Sequence, residues 1–277
     1  MRLIPTASES TDTALIDRFE HHLVSRDLAP ATIRGYRHDL KLFQDWLAWV
    51  HETPTASMIH VGTVELAAFR RHLLQEKAQR PATVNRRIQS LRVFFQWLQD
   101  QPGGAGNPAE HLRYVRYARR QSPEALQRRE ILALLQTAAA SPHGLGKRNT
   151  ALGQLMLQTG LRVSEVAALC QRDIQFGSRS GYVAVRASKG LKFRQVPLNT
   201  TARRALQAYL DTLPERTADA PVFLSKRKTP LSVRAIQNVV AELACRAHLT
   251  RISVSAHTLR YTFAAESVRT GYLGLRI

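Results

Sequence analysis

The sequence predicts a mainly α protein in two parts: a helical domain, then an α+β domain with a small antiparallel sheet. Apolar residues recur at helical spacing through the first part, a Pro/Gly run and a basic stretch interrupt the chain, and strict alternation occurs only near 181–198.

The first helix is marked by Leu15, Phe19 and Leu23, which fall on one face. After Pro30, Tyr36, Leu40, Phe43 and Leu47 mark a second, and Leu66, Phe69 and Leu73 a third. A fourth enters through Pro81, carries Val84, Ile88, Leu91, Phe95 and Leu98, and stops at Gln101-Pro102-Gly103-Gly104. Residues 113–124 begin Arg113-Tyr114-Val115-Arg116, lack an apolar face and read as a linker; Ser122-Pro123-Glu124 reads as the next helix start. Helical patterns follow at 125–139 and 150–158. The period then changes: Gly181–Arg186 and Phe193–Leu198 alternate, and joined across Ser188-Lys189-Gly190-Leu191 they predict a β-hairpin. Helices resume at 201–213, 233–247 and 258–270.

The 277 residues are 44% hydrophobic, enough for buried cores. Forty Lys+Arg against 21 Asp+Glu give a formal charge of +19, and 33 of the forty are arginines. Genomic base composition would explain the preference for arginine over lysine, but not the net charge. A guanidinium is a planar fork that fits phosphate, so the excess points to a polyanionic partner. The two cysteines, Cys170 and Cys245, form neither a CxxC pair nor a His-rich cluster, so no disulfide framework or metal site is indicated. No apolar run reaches the length of a membrane span and the start lacks a secretory signal. A soluble, cytoplasmic protein is expected.

Two motifs carry chemistry. Thr159-Gly160-Leu161-Arg162-Val163-Ser164-Glu165 reads as a helix end, a glycine turn and a new helix whose first turn sets Glu165 beside Arg162. Taken alone, such an arginine is more often a salt-bridged surface residue. His257-Thr258-Leu259-Arg260 places a histidine and an arginine on one helix face, where both could meet one phosphate. Lys189 and Lys192 in the hairpin loop read by themselves as solvated charges.

Together these motifs resemble the tyrosine recombinase (phage integrase, Xer-like) family, and the resemblance covers nearly the whole chain. Leu28-Ala29-Pro30-Ala31-Thr32-Ile33-Arg34-Gly35-Tyr36, Val84-Asn85-Arg86-Arg87-Ile88 and Phe94-Phe95-Gln96-Trp97-Leu98 are similar to the family's helical domain. The resemblance implies a core-binding (SAM-like) domain at 1–112, the basic linker at 113–124 and a catalytic domain at 125–277. It implies that Arg162 and Arg260 clamp a scissile phosphate, that Lys189 protonates the departing 5′ oxygen, and that His257 assists proton transfer. It also implies double-stranded DNA as partner, two domains closing on it as a clamp, tetramers on paired sites, and no metal or nucleotide cofactor, since arginines take the place of a divalent cation. Arg34, Arg37 and Lys41 on the second helix, with Asn85, Arg86, Arg87 and Arg92 on the fourth, are the DNA-contact candidates; a solvated polar face accounts for any single one nearly as well.

Family members continue to a Gly-His (or tryptophan) box and then to the tyrosine that attacks phosphorus, forming a 3′-phosphotyrosyl link. Neither is recognisable after Arg260, and Tyr272 follows it too closely to serve as that nucleophile. The expectation is therefore a carboxy-terminally shortened recombinase with weakened tetramer assembly, or a non-catalytic module that occupies recombination sites. A type IB topoisomerase relative is disfavoured by the compact helical first part, and generic RNA binding by the lack of any RRM or KH pattern.

Overall fold

The computed structural model describes residues 7–52, 57–102, 106–117, 124–186, 193–214 and 217–270, with the backbone alone for 7–11. The chain divides into two compact units, Met1–Arg119 and Arg120–Ile277, each with its own core.

The first unit holds α1 (Ala7–Ser25), α2 (Pro30–Val50), α3 (Thr63–Gln75) and α4 (Pro81–Gln99). Proline opens α2 and α4, where its fixed φ suits the first turn and its missing N–H would have had no helical partner. The apolar stripes meet in an aromatic core: Phe19, Phe43, Phe69, Phe94 and Phe95 are all buried, with Phe19 edge-on to Phe94 at 5.3 Å and Phe43 to Phe69 at 4.9 Å. Each such side chain contributes about 1.5–3 kcal/mol relative to exposure. A 3₁₀ turn at Met58–His60, not anticipated from the sequence, is pinned by buried Asp12, which accepts from the Met58 amide at 3.0 Å and the Ser57 hydroxyl at 2.8 Å.

The second unit holds α5 (Arg128–Ala139), α6 (Gly146–Thr159), α7 (Val163–Ala167), β1 (Ile174–Phe176), β2 (Gly181–Arg186), β3 (Phe193–Pro197), α8 (Thr200–Leu210), α9 (Val233–Arg246) and α10 (Ala256–Arg269). Helix α6 is its axis. It is buried on nearly every side, polar Arg148, Asn149 and Gln154 included, and α5, α8 and α10 pack around it. The expected hairpin is present as antiparallel β2–β3, with Val183 opposite Val196. β1 adds a third antiparallel strand, giving the order β1-β2-β3; at three residues it was too short for an alternating pattern to reveal. The fold is therefore mainly α, with a helical domain followed by an α+β domain carrying a small antiparallel sheet.

One helix start is corrected. The structure begins α5 at Arg128, later than the start read at Ser122-Pro123-Glu124, because Glu130 reaches back to the Gln127 amide at 2.7 Å and closes the helix end there. Ser122 and Pro123 lie outside the described residues.

Candidate active site

The site is built around one glycine. Gly160 ends α6 in the left-handed conformation, φ 59° and ψ 24°, and any Cβ there would collide with the Phe263 ring from α10. The chain therefore turns sharply and brings Arg162, two residues on, to the N-cap of α7. From α10 the Arg260 guanidinium donates through Nη1 to the Gly160 carbonyl. One arginine leaves the turn and the other returns to it.

Glu165 fixes the first of them. Its Oε2 accepts the Arg162 amide at 2.8 Å, closing the helix start, while Oε1 accepts the Arg162 guanidinium at 3.2 Å. Oε2 also accepts Arg194 Nη2 at 2.8 Å, from strand β3. Burial by itself raises the Glu165 pKa, but hydrogen bonds from Arg194 and the Arg162 amide, with the Arg194 charge, more than reverse this and hold the carboxyl below its ordinary range. Burial pushes the Arg260 guanidinium down, and the nearby charge of Arg162 adds to that; Glu165 opposes it and Arg194 reinforces it. Three guanidinium groups thus surround a single carboxylate, leaving a local excess of positive charge. The Arg162 side chain remains 58% exposed and the Glu165 side chain only 11%. An anion can reach the arginine while the carboxylate stays behind it.

His257 lies in the first turn of α10, exposed, three residues before Arg260. The helix starts earlier than its apolar pattern suggested because Ser255 and Thr258 exchange side-chain–backbone hydrogen bonds, 3.0 Å and 3.3 Å long. Thr262 ties the same helix to the start of the unit by accepting the Leu126 amide at 2.9 Å. Just before the helix, Arg251 donates twice to Glu130, at 2.8 and 2.9 Å, and once to the Ala125 carbonyl. Lys189, the expected acid, lies outside the described residues, as does Tyr272.

Sequence reasoning missed Arg194 and Arg251. A signal existed for the first: Arg194 shares a strand face with buried Val196, and an inward-facing arginine implies a carboxylate partner.

In the first unit the candidate DNA contacts are differently employed. Arg34 is exposed and makes no ion pair with a described residue. Arg37 pairs with Asp17 and Glu20, and Lys41 with Asp45 at 3.6 Å. Arg86 passes near Gly35 of α2 and grips Asp39 with two hydrogen bonds of 2.5 and 2.7 Å. Asp39 is fully buried while the Arg86 side chain is half exposed. Arg87 donates to Gln79 at 2.6 Å and is largely buried, and its pKa is lowered by that burial. The Asn85 amide is occupied at both ends by the backbone of Val115, at 2.7 and 3.0 Å, so part of the expected linker is fastened to the first unit. Arg92 donates to the Glu110 carbonyl and lies over the Tyr114 ring. Among the described residues no cluster of three or more His, Cys, Asp or Glu is placed to hold a metal, and no helix is long and apolar enough to cross a membrane.

A helical unit, then a helix-and-sheet unit with paired arginines at a glycine turn, define the class, and comparison with known proteins agrees. Residues 124–272 match the phage integrase family and residues 16–101 the phage integrase N-terminal SAM-like domain. The chain belongs to the phage integrase family of site-specific tyrosine recombinases. It is 31% identical over 266 residues to tyrosine recombinase XerC of Oceanobacillus iheyensis, covering 92% of this chain and 83% of the relative. Against XerC of Pelobacter propionicus it is 33% identical over 263 residues, covering 92% and 82%. Its fold is shared with a lambda integrase dimer bound to a COC' core site, with a TM-score of 0.73, 21% identity and coverage of 96% and 95% of the two chains. A second such structure is XerH bound to a palindromic difH substrate after cleavage, with a TM-score of 0.72, 18% identity and coverage of 96% and 75%.

Proposed function

We propose that this chain binds duplex DNA site-specifically and holds the scissile phosphate between Arg162 and Arg260, for strand breakage and rejoining through a phosphotyrosyl intermediate. The observation that carries the reading is the anchoring of both arginines on the Gly160 turn, with Glu165 behind Arg162. A phosphodiester carries one negative charge, and attack on phosphorus piles further charge onto its non-bridging oxygens. Guanidinium groups fixed in advance stabilise that charge without reorganising.

In this scheme a tyrosine hydroxyl attacks phosphorus and gives up its proton to the His257 imidazole, the P–O5′ bond breaks, and Lys189 delivers a proton to the departing 5′ oxygen. His257, exposed beside Arg260 on α10, steadies the phosphate and assists the proton transfer. Rejoining reverses these steps with a 5′ hydroxyl as nucleophile, so no external energy source is needed. The arginines supply the charge that a divalent cation would otherwise bring.

In the first unit, Arg34, Arg37, Lys41, Arg86 and Arg92 are proposed to contact backbone phosphates. Arg86 is both anchored and half exposed, which favours it. Asn85 and Arg87 enter as supports of that face, since the Asn85 amide is engaged by Val115 and Arg87 is largely buried and bonded to Gln79. Assembly of several copies on DNA is proposed from family membership, with integration or excision of mobile DNA as the biological setting and the cytoplasm as its place.

A second reading is that the 277-residue polypeptide occupies a site without joining it covalently. Two guanidinium groups anchored on one turn bind a phosphodiester whether or not a covalent step follows. A duplex selected by the protein from a random library and nicked to trap the intermediate separates the two. A covalent adduct on a denaturing gel supports recombination by this polypeptide. Binding without any adduct supports the occupant.

A further inference from the structure

Glu165 stands beside an arginine whose proposed task is to bind phosphate, which raises a chemical difficulty. A carboxylate next to a guanidinium ordinarily takes it in a two-bond fork, and an arginine so engaged has fewer donors for an incoming anion. The structure avoids the fork. Glu165 Oε2 is filled by the Arg162 amide and Arg194 Nη2, both at 2.8 Å, and the Arg162 guanidinium keeps one longer bond, 3.2 Å, to Oε1.

We propose that Arg194 is a positioning residue: by holding Oε2 of Glu165 it prevents that carboxylate from closing a fork on Arg162, and so leaves the Arg162 guanidinium free for the phosphate. The inference rests on the phosphate-binding reading of the site and deepens it.

Geometry makes Arg194 suited to the task. It faces inward from β3 on the same side as buried Val196, its side chain is 35% exposed, and Glu165 is its ion-pair partner among the described residues. Opposite Arg194 across the ladder lies Val185 of β2, so the guanidinium is carried by a paired strand rather than a free loop. Glu165 sits in the first turn of α7, one short helix after the Gly160 turn. The pair therefore joins the sheet to the turn that launches Arg162. With Arg194 removed, Oε2 keeps only the Arg162 amide, a single bond about which the carboxylate can turn to take the Arg162 guanidinium with both oxygens. The site keeps its fold but loses part of its cationic grip.

The test reads the grip without requiring cleavage. A duplex selected by the protein from a random library is made with a single neutral methylphosphonate at each position in turn. The affinity ratio of native to neutralised duplex marks the phosphate held by the site. Arg194→Gln is expected to lower that ratio about tenfold at the marked position, the effect of a small misplacement of a positioned group, while affinity for the neutralised duplex stays unchanged. Adding Glu165→Gln to Arg194→Gln is expected to restore most of the ratio, because a neutral amide does not compete for Arg162. A structural role alone would make the two changes additive losses.

Unchanged discrimination in Arg194→Gln, or no recovery in the double variant, overturns the inference while leaving the phosphate site standing. Absence of any marked position in the unaltered protein removes the phosphate reading itself, and the inference with it. Should Arg194→Gln fail to fold, Arg194→Lys serves: its single point-like ammonium replaces a fork, so a loss of about threefold is expected, again recovered by Glu165→Gln. A Lys variant indistinguishable from the unaltered protein would then count against the proposal.

Discussion

The Arg260 guanidinium donates to the carbonyl of Gly160, two residues before Arg162, so residues a hundred positions apart are fastened to one backbone turn. This bond makes the second arginine's position a consequence of the first arginine's loop. It also makes the glycine as important as either cation.

Gly160→Ala should therefore disturb both arginines together. The left-handed backbone disfavours a Cβ and the Phe263 ring occupies its space, so strain and overpacking together are expected to cost about 3 kcal/mol. Thermal unfolding should show the loss, and DNA discrimination should fall even where the variant remains folded. An alanine protein as stable as the original would mean that the turn relaxes freely.

Removal of either guanidinium is expected to weaken the chemistry far more than the fold. Arg162→Ala removes a largely exposed side chain, and about a hundredfold loss in adduct formation on the nicked duplex is expected, as for other fixed donors to developing charge. Circular dichroism should be nearly unchanged. A folded Arg162→Ala protein that supports adduct formation at the original rate would remove Arg162 from the mechanism.

Stability in acid should depend on Glu130 and Glu165. Hydrogen bonds from Arg251 hold Glu130 below its ordinary range, and the bonds to Glu165 overcome the opposing effect of burial. Both folded pKa values lie below that of the unfolded chain, about 4.3. In the interval between, the unfolded chain binds more protons, so stability rises with pH there: it is fully present above the unfolded value and lost as pH falls through the folded ones. Denaturant titrations from pH 5 downward should show this slope, and Glu130→Gln and Glu165→Gln should each flatten it. A slope of opposite sign would contradict the assignment.

Asp39 is expected to hold the basic face of the first unit together. It is buried, accepts two hydrogen bonds from Arg86 and one from Ser90 at 2.7 Å, and lies near Arg87. Asp39→Asn loses the charge those donors need, at a cost of about 2 kcal/mol, tempered by the access of Arg86 to water. DNA affinity should drop as well, because Arg86 loses its anchor. A variant with lowered stability but unaltered DNA affinity would remove Arg86 from the interface.

The periodic parts were legible in the sequence because burial writes them there. The stripes Val84, Ile88, Leu91 and Phe95 in α4 and the alternation of β2 and β3 each follow from one buried face. The turn at Gly160 was legible for a different reason, since a left-handed helix end favours glycine. What stayed hidden depends on pairings distant in sequence. Nothing local says that Arg194 meets Glu165, that Arg251 meets Glu130, or that Asn85 is spent on Val115. A surface arginine and a buttressing arginine look alike until the partner is placed. The first turns of α5 and α10 were misjudged by a few residues for a related reason: the side chains that close them, Glu130 and Thr258, act on the backbone and leave no mark on apolar spacing.

The central claim is that Arg162 and Arg260 converge on one phosphate. The methylphosphonate scan, repeated with Arg162→Ala and with Arg260→Ala, addresses it directly. Each variant should lose discrimination at the same single phosphate and keep it elsewhere, and the double variant should lose little more than either alone. Loss at two different phosphates, or at none, would show that the two guanidinium groups do not share an anion.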